Sequence, residues 1–276
     1  MRGIGCLVLL FILAGNTNSQ PGRTEMQNIS TQPEQTCCSV VELRQYTLHP
    51  GKRDVLIDLF DREFVESQEE VGMTIIGQFR DLDNANRFVW LRGFPDMTTR
   101  AQSLSSFYGG PVWKAHSGAA NPTMVDSGNV LLLKPAQTGS GFLVKNFHRL
   151  PTGAKETTKG LVVATIYYFD SPVDADFVDF FERTARPVLM DAGASILASF
   201  VTESSANTFP ALPVREGEHV FVSFSLFRDQ AAYENYVAAL ARSQRWREEI
   251  SETLSRHVKR SPEVLKLSPT ARSQLR

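Results

Sequence analysis

Neither sign of charge is in surplus in this sequence: 29 Lys and Arg stand against 30 Asp and Glu over 276 residues, and no long basic run occurs. Nucleic acid and anionic membrane both call for concentrated positive charge, so neither is expected as a partner. Cysteine is sparse. Of three, Cys6 lies in an N-terminal apolar stretch, which leaves the neighbours Cys37 and Cys38. That is too few for a disulfide framework. Adjacent cysteines close only a tight ring; two separate roles, an intermolecular bridge, and two small apolar residues opening a strand all remain open. No pair among the five histidines has metal-ligand spacing, which argues against structural zinc, and no metal is expected. There is no G-x-S-x-G, no phosphate-binding glycine loop and no G-x-G-x-x-G after a strand. Nucleotide- or flavin-dependent chemistry is therefore disfavoured, and no cofactor is expected.

A long hydrophobic run is missing too. Ile4 to Ala14 is the apolar stretch near the N-terminus, much shorter than the roughly 20 residues that span a bilayer. It follows Arg2 and precedes the small polar residues Asn16, Thr17, Asn18 and Ser19, the order of a signal peptide. Residues 1–19 are read as that signal, cleaved after Ser19, with the product secreted or periplasmic and not membrane-embedded. Residues 20–36 are polar, contain Pro21 and Pro33, and read as a disordered leader. Asn28-Ile29-Ser30 is a glycosylation sequon.

What is present is an internal repeat. A shift of 121 positions brings Tyr46 onto Tyr167, Phe60 onto Phe181, Arg62 onto Arg183, Gly72 onto Gly193 and Phe79 onto Phe200. A shift of 133 then brings Phe88 onto Phe221, Phe94 onto Phe227, Asp96 onto Asp229 and Trp113 onto Trp246. The 12-residue difference falls between Phe200 and Phe221, in a Ser/Asn/Pro-containing segment that reads as a hairpin loop. Each copy reads strand, helix, strand, strand, helix, strand. In the first, strands are expected near Ser39–Leu48, Met73–Arg80, Arg87–Phe94 and Val130–Lys134. One helix carries Leu56, Leu59, Phe60 and Phe64 inward; a second, capped by Asp96, carries Leu104 and Phe107. In the second copy, strands are expected at Leu161–Phe169, Ser195–Thr202, His219–Phe227 and Val264–Leu267, with Pro187 kinking the first helix.

The expected fold is α+β: two tandem ferredoxin-like (β-α-β-β-α-β) units forming a barrel-like sandwich within one chain, each sheet covering the other's bare face. The domains are 37–135 and 160–270, with a linker at 136–159, a small strand within it at Phe142–Phe147, and a tail at 271–276. The two copies supply the barrel internally, so a monomer is expected, with a homodimer through outer strands as the alternative.

The segments VVELRQYTLHPGKRDVLIDLFDREF, GQFRDLDNANRFVWLRGFPDM and FYGGPVWKAH closely resemble the NIPSNAP domain, of the dimeric α/β barrel superfamily. The resemblance is strong from Val41 to Pro135 and weaker afterwards. It implies a ferredoxin-like fold and barrel pairing, and for eukaryotic members an association with mitochondria and with vesicle or mitophagy functions. The leader here is of secretory type instead.

Strand alternation places Glu42, Arg44 and Tyr46 on one face of the first strand, and Trp90 and Arg92 on one face of the third. Giving the aliphatic face to the helices turns these five into the barrel. Their counterparts are Val163, Thr165, Tyr167, Ser223 and Ser225, so the charges belong to the first copy only. On one reading Arg44 and Arg92 hold a small anionic or carbonyl-bearing ligand, with Tyr46 and Trp90 stacking on it. On the other, Glu42 and the arginines satisfy one another. His116 is a candidate general base near the barrel mouth or a hydrogen-bonded helix residue; Trp113 and Trp246 are framework anchors. The function expected is ligand binding in the barrel, with cofactor-independent catalysis as an extension; the alternative is a non-catalytic interaction or scaffold module.

Overall fold

A computed structural model of the chain describes residues 35–144, 147–156 and 158–276. The expected signal peptide, the sequon and nearly all of the leader lie outside the described residues. The first half runs β1 (Val40–Leu48), α1 (Arg53–Leu59), a π-helical segment (Phe60–Phe64), α2 (Val65–Glu69), β2 (Thr74–Asp81), β3 (Arg87–Phe94), α3 (Met97–Gly109), α4 (Pro111–Ala120), the short β4 (Met124–Asp126) and β5 (Val130–Pro135). The second half runs β6 (Leu161–Phe169), α5 (Ala175–Phe180), a π segment (Phe181–Ala185), α6 (Arg186–Asp191), β7 (Ser195–Thr202), β8 (His219–Phe227), α7 (Gln230–Arg242), a third π segment (Trp246–Ile250), α8 (Ser251–His257) and β9 (Glu263–Pro269).

Eight strands close into one antiparallel barrel in the order β1-β3-β2-β9-β6-β8-β7-β5 and back to β1, with β4 appended at the end of β1. The halves join twice, through β2–β9 (Phe79 opposite Pro269) and β5–β7 (Leu133 opposite Thr202). Closure pairs the backbone groups that an open sheet leaves at its edges. The arrangement is thus a closed barrel rather than two facing sheets.

Eight strands enclose an interior just wide enough for their own side chains. All eight contribute to one buried apolar set, including Val41, Leu43, Val89, Leu91, Ile76, Leu133, Val162, Phe200, Val222 and Leu267. The helices pack on the outer face. There Phe60, Phe64, Phe88, Trp90, Leu104 and Phe107 form the layer of the first half, and Phe177, Phe181, Tyr167 and Phe221 that of the second. Asp96 and Asp229 cap α3 and α7, accepting hydrogen bonds from the Thr99 and Ala232 amides, as expected of an N-cap carboxylate. Pro187 lies within the continuous helical run from Ala175 to Asp191, two residues past its π segment, and that local irregularity accompanies the missing N–H.

The linker and tail are structural parts of the barrel end. Phe142 inserts among Phe200 and Phe224, with ring centroids 5.1 Å away in each case, and Leu275 joins the same core. In place of the expected strand at 142–147 there is a single bridge, Thr36 to Leu143. Arg272 is buried and donates to the carbonyls of Leu150 and Asp61 and to the Glu66 carboxylate. Cys37 and Cys38 are joined by a disulfide at this end, and Cys38 lies against Gly93, where any side chain would collide with its sulfur.

Asp61, in the first π segment beside this tail, is pushed up to about 6 because burial outweighs the attraction of Arg272 and Arg80. The folded protein therefore holds a proton that the unfolded chain releases near pH 4. This contribution to stability is fully present below about pH 4 and is lost as pH rises through 6. Asp61→Asn should raise stability by on the order of 2 kcal/mol at pH 7.5 and leave it nearly unchanged at pH 4, as read by urea unfolding at both pH values. Equal effects at the two would refute the assignment.

Candidate functional site

The five sequence candidates do come together, but on the opposite face from the one expected. Glu42, Arg44, Tyr46, Trp90 and Arg92 point outward from β1 and β3 into the helix layer. The aliphatic Val41, Leu43, Val89 and Leu91 fill the barrel. The physical reason is closure. The interior receives side chains from both halves and offers a charge no partner, whereas the helix layer supplies Gln68, Met73 and Arg100.

In that layer Glu42 is the hub. Its Oε2 accepts from Arg44 (2.6 Å) and Arg92 (2.7 Å), and its Oε1 accepts from Arg100 of α3 (2.7 Å). All four side chains have 0% exposure. Burial alone would raise the Glu42 pKa, yet Arg92, Arg44 and Arg100 hold it well below the usual carboxylate range. Arg92 also donates to Gln68 (3.0 Å), and Arg44 to the Tyr46 hydroxyl (3.0 Å). Trp90 lies against both guanidinium groups, 5.5 Å from that of Arg44 and 5.0 Å from that of Arg92. The mutual-satisfaction reading thus describes this cluster, and only about 30 Å³ of space adjoins it. Arg100 escaped the sequence reading because helical spacing marks α3 only by Leu104 and Phe107.

The hairpin loop between β7 and β8 closes the cluster from outside. Asn207 and Thr208 accept from Arg100 (3.0 and 3.1 Å), and Phe209 stacks on Tyr108 with ring centroids 5.8 Å apart. Trp113 packs on Phe64, Phe107 and Tyr108. His116 meets Glu63 at 3.4 Å on the partly exposed surface of the helix layer.

The second half is built otherwise. Val163, Thr165, Tyr167 and Ser225, the counterparts of Glu42, Arg44, Tyr46 and Arg92, line a cavity of about 560 Å³ between β6, β8, β9 and the helices. Phe227, Tyr233, Tyr236 and Trp246 form aromatic walls, Ser251 and Ser255 add hydroxyls, and Lys259 and Arg260 stand at the edge. Small residues have vacated the space that a guanidinium cluster occupies in the first half. Buried Ser223, in the place of Trp90, has a hydroxyl without a partner among the described residues. Burial pushes the Tyr167 and Tyr236 phenols well above their usual range, so both stay protonated and can donate. The β2–β3 hairpin, 12 residues shorter than its second-half counterpart, is held beside the cavity by Asp83–Lys266 (2.7 Å) and leaves it open. Trp246 is therefore a cavity wall as well as an anchor. The signal lies in the same alignment: Val163, Thr165 and Ser225 stand where the first half has Glu42, Arg44 and Arg92, a loss of volume as well as of charge.

Removing Glu42 would leave three buried cations unpaired, so Glu42→Gln should cost about 3–5 kcal/mol. Thr165→Ala, which deletes one hydroxyl facing a cavity, should cost less than about 1.5 kcal/mol. Urea unfolding of both variants checks the contrast, and similar costs would refute the hub assignment.

Comparison with known proteins fits this architecture. An anthrone oxidase-like protein of known structure superposes with a TM-score of 0.51 at 15% identity, over 84% of this chain and 93% of its own. A NIPSNAP domain protein from Burkholderia xenovorans matches at 20% identity over 36% of this chain and 96% of its own, with a TM-score of 0.33. A NIPSNAP family protein from Agrobacterium tumefaciens matches at 20% identity over 36% and 94%, also at 0.33. No curated protein matches the chain. The first of these likenesses speaks to fold alone, an antiparallel α/β barrel. The NIPSNAP family model matches residues 41–138, from the start of β1 to just past β5. The half that carries the Glu42 cluster is thus the part of the chain that is similar to a NIPSNAP domain.

Proposed function

We propose that this chain is an exported ligand-binding barrel built from two tandem ferredoxin-like units, and that it holds a small aromatic ketone or phenol in its second-half cavity. One observation carries the reading: the roughly 560 Å³ space left where Thr165 and Ser225 replace arginines. That volume falls in the ordinary range for small-molecule sites, apolar-walled with a few convergent polar groups. Tyr167, Tyr233, Tyr236, Trp246 and Phe227 suit a planar ring system. The neutral Tyr167 phenol suits a carbonyl oxygen. A carboxylate or imidazole is not among the lining residues, which favours binding over proton-transfer catalysis. The carbonyl-bearing ligand expected from the sequence is retained, in the second half and outside the barrel interior; the site at Arg44 and Arg92 is replaced.

The tandem reading is supported by π segments at the same place in both halves, Phe60–Phe64 and Phe181–Ala185, and by the matched capping aspartates. Closure of the barrel within one chain favours a monomer.

The anthrone oxidase-like neighbour suggests the class of probe, a tricyclic aromatic ketone. Wild-type protein should bind 1,8-dihydroxyanthraquinone with quenching of tryptophan fluorescence. Ser225→Trp, which fills the cavity, should weaken binding at least tenfold. Ser225→Ala should weaken it no more than about tenfold, the worth of one hydrogen bond. Binding that ignores Ser225→Trp would refute the site. For export, mass spectrometry of the product from a secreting host should find Gln20 at the N-terminus, and retention of Met1 would refute it.

A further inference from the structure

We propose that the first half has a binding site of its own, for a small carboxylate, in the cavity that Asp61 shares with Arg62 and Arg80. This cavity of about 490 Å³ lies between the first π segment, β2, the crossing between halves and the tail. Asp61, Arg62, Arg80, Lys155 and Arg272 all line it, so its walls carry charge of both signs. Three of the cations are anchored elsewhere. Arg80 gives its Nε to Asp54 (2.7 Å), Arg62 gives its Nε to Glu63 (2.7 Å), and Arg272 is taken up by Glu66 and two backbone carbonyls. Among the described residues none of them donates to the Asp61 carboxyl, whose Oδ1 is shut off from solvent without a partner. Oδ2 is then the oxygen open to the cavity. Burial pushes this carboxyl up to about 6, against Arg272, Arg80 and Arg149 and with help from Asp58. An acid that keeps its proton at the wall of a cavity is a donor without an acceptor.

A carboxylate supplies what these walls lack. Arg62 and Arg80 bond through Nε alone among the described residues, which leaves the Nη1–Nη2 fork of each. Such a fork matches both oxygens of a carboxylate. A remaining lone pair of the ligand accepts from protonated Asp61, since two carboxyl groups in one site hold a proton between them. Lys155 adds a further positive charge, and Ile57, Ala154 and Ala271 give the hydrocarbon part of the ligand an apolar surface. A cationic ligand would instead meet four positive side chains, against Asp58 and a protonated Asp61. The volume suits a small molecule, and none of the lining residues is shared with the second-half cavity.

Butanoate and butanesulfonate are the probes, the second because it stays anionic at every pH used. Titration calorimetry on the full chain should find both bound at about pH 5.5, below the Asp61 titration. Binding that requires the Asp61 proton is level below about pH 6 and weakens about tenfold for each pH unit above it. Asp61→Asn, which keeps a neutral donor in place, should bind butanesulfonate equally from about pH 5.5 to 8, and at the upper end about tenfold or more tightly than the wild type. Arg80→Gln, which removes a fork, should weaken both probes about tenfold. Absence of binding at the lower pH, or a pH dependence that is missing from the wild type or survives in Asp61→Asn, overturns the proposal.

Discussion

Closure of eight strands into one ring governs where everything else can lie. A barrel of that number has room for its own side chains or at most one small ligand, and here residues from every strand fill it largely with apolar atoms. The Glu42 cluster and the second-half cavity accordingly sit outside the ring, in the layer between strands and helices of each half. The same closure leaves two joins, β2–β9 and β5–β7, so each half supplies edges that complete the other.

The two layers solve one packing problem in opposite ways. In the first, Glu42 gathers three arginines and Trp90 spreads across two of them, so that side chains of the chain itself occupy the space. In the second, Val163, Thr165 and Ser225 withdraw, and the space stays open. The hairpins follow suit. The long β7–β8 loop reaches across to seal the first layer, whereas the short β2–β3 turn leaves the second accessible.

Strand and helix positions were legible because they rest on local periodicity and on turn residues. Leu161–Phe169 and His219–Phe227 fall where alternation puts them, and Asp96 caps the helix it precedes. The side of the sheet facing the helices was not legible, because alternation separates two faces without naming which is inside. The rule that gave the aliphatic face to the helices fails once closure creates an interior more apolar than the helix layer. Arg100 and the tail residues Arg272 and Leu275 were hidden for a related reason. Their roles depend on partners far away in sequence, such as Glu42, Leu150 and Asp61.

The sealed end of the barrel gives the molecule a direction. The segment before β1, the crossing between halves and the last residues of the chain all converge there: Cys37 donates its amide to Phe142, Arg149 reaches the Arg272 carbonyl, and Gly160 lies beside the Arg276 backbone. The β2–β3 and β7–β8 hairpins and the Lys259–Arg260 edge of the cavity occupy the other end. A tag, tether or partner domain attached at either Gln35 or Arg276 would hold the protein by its base and present the cavity edge outward.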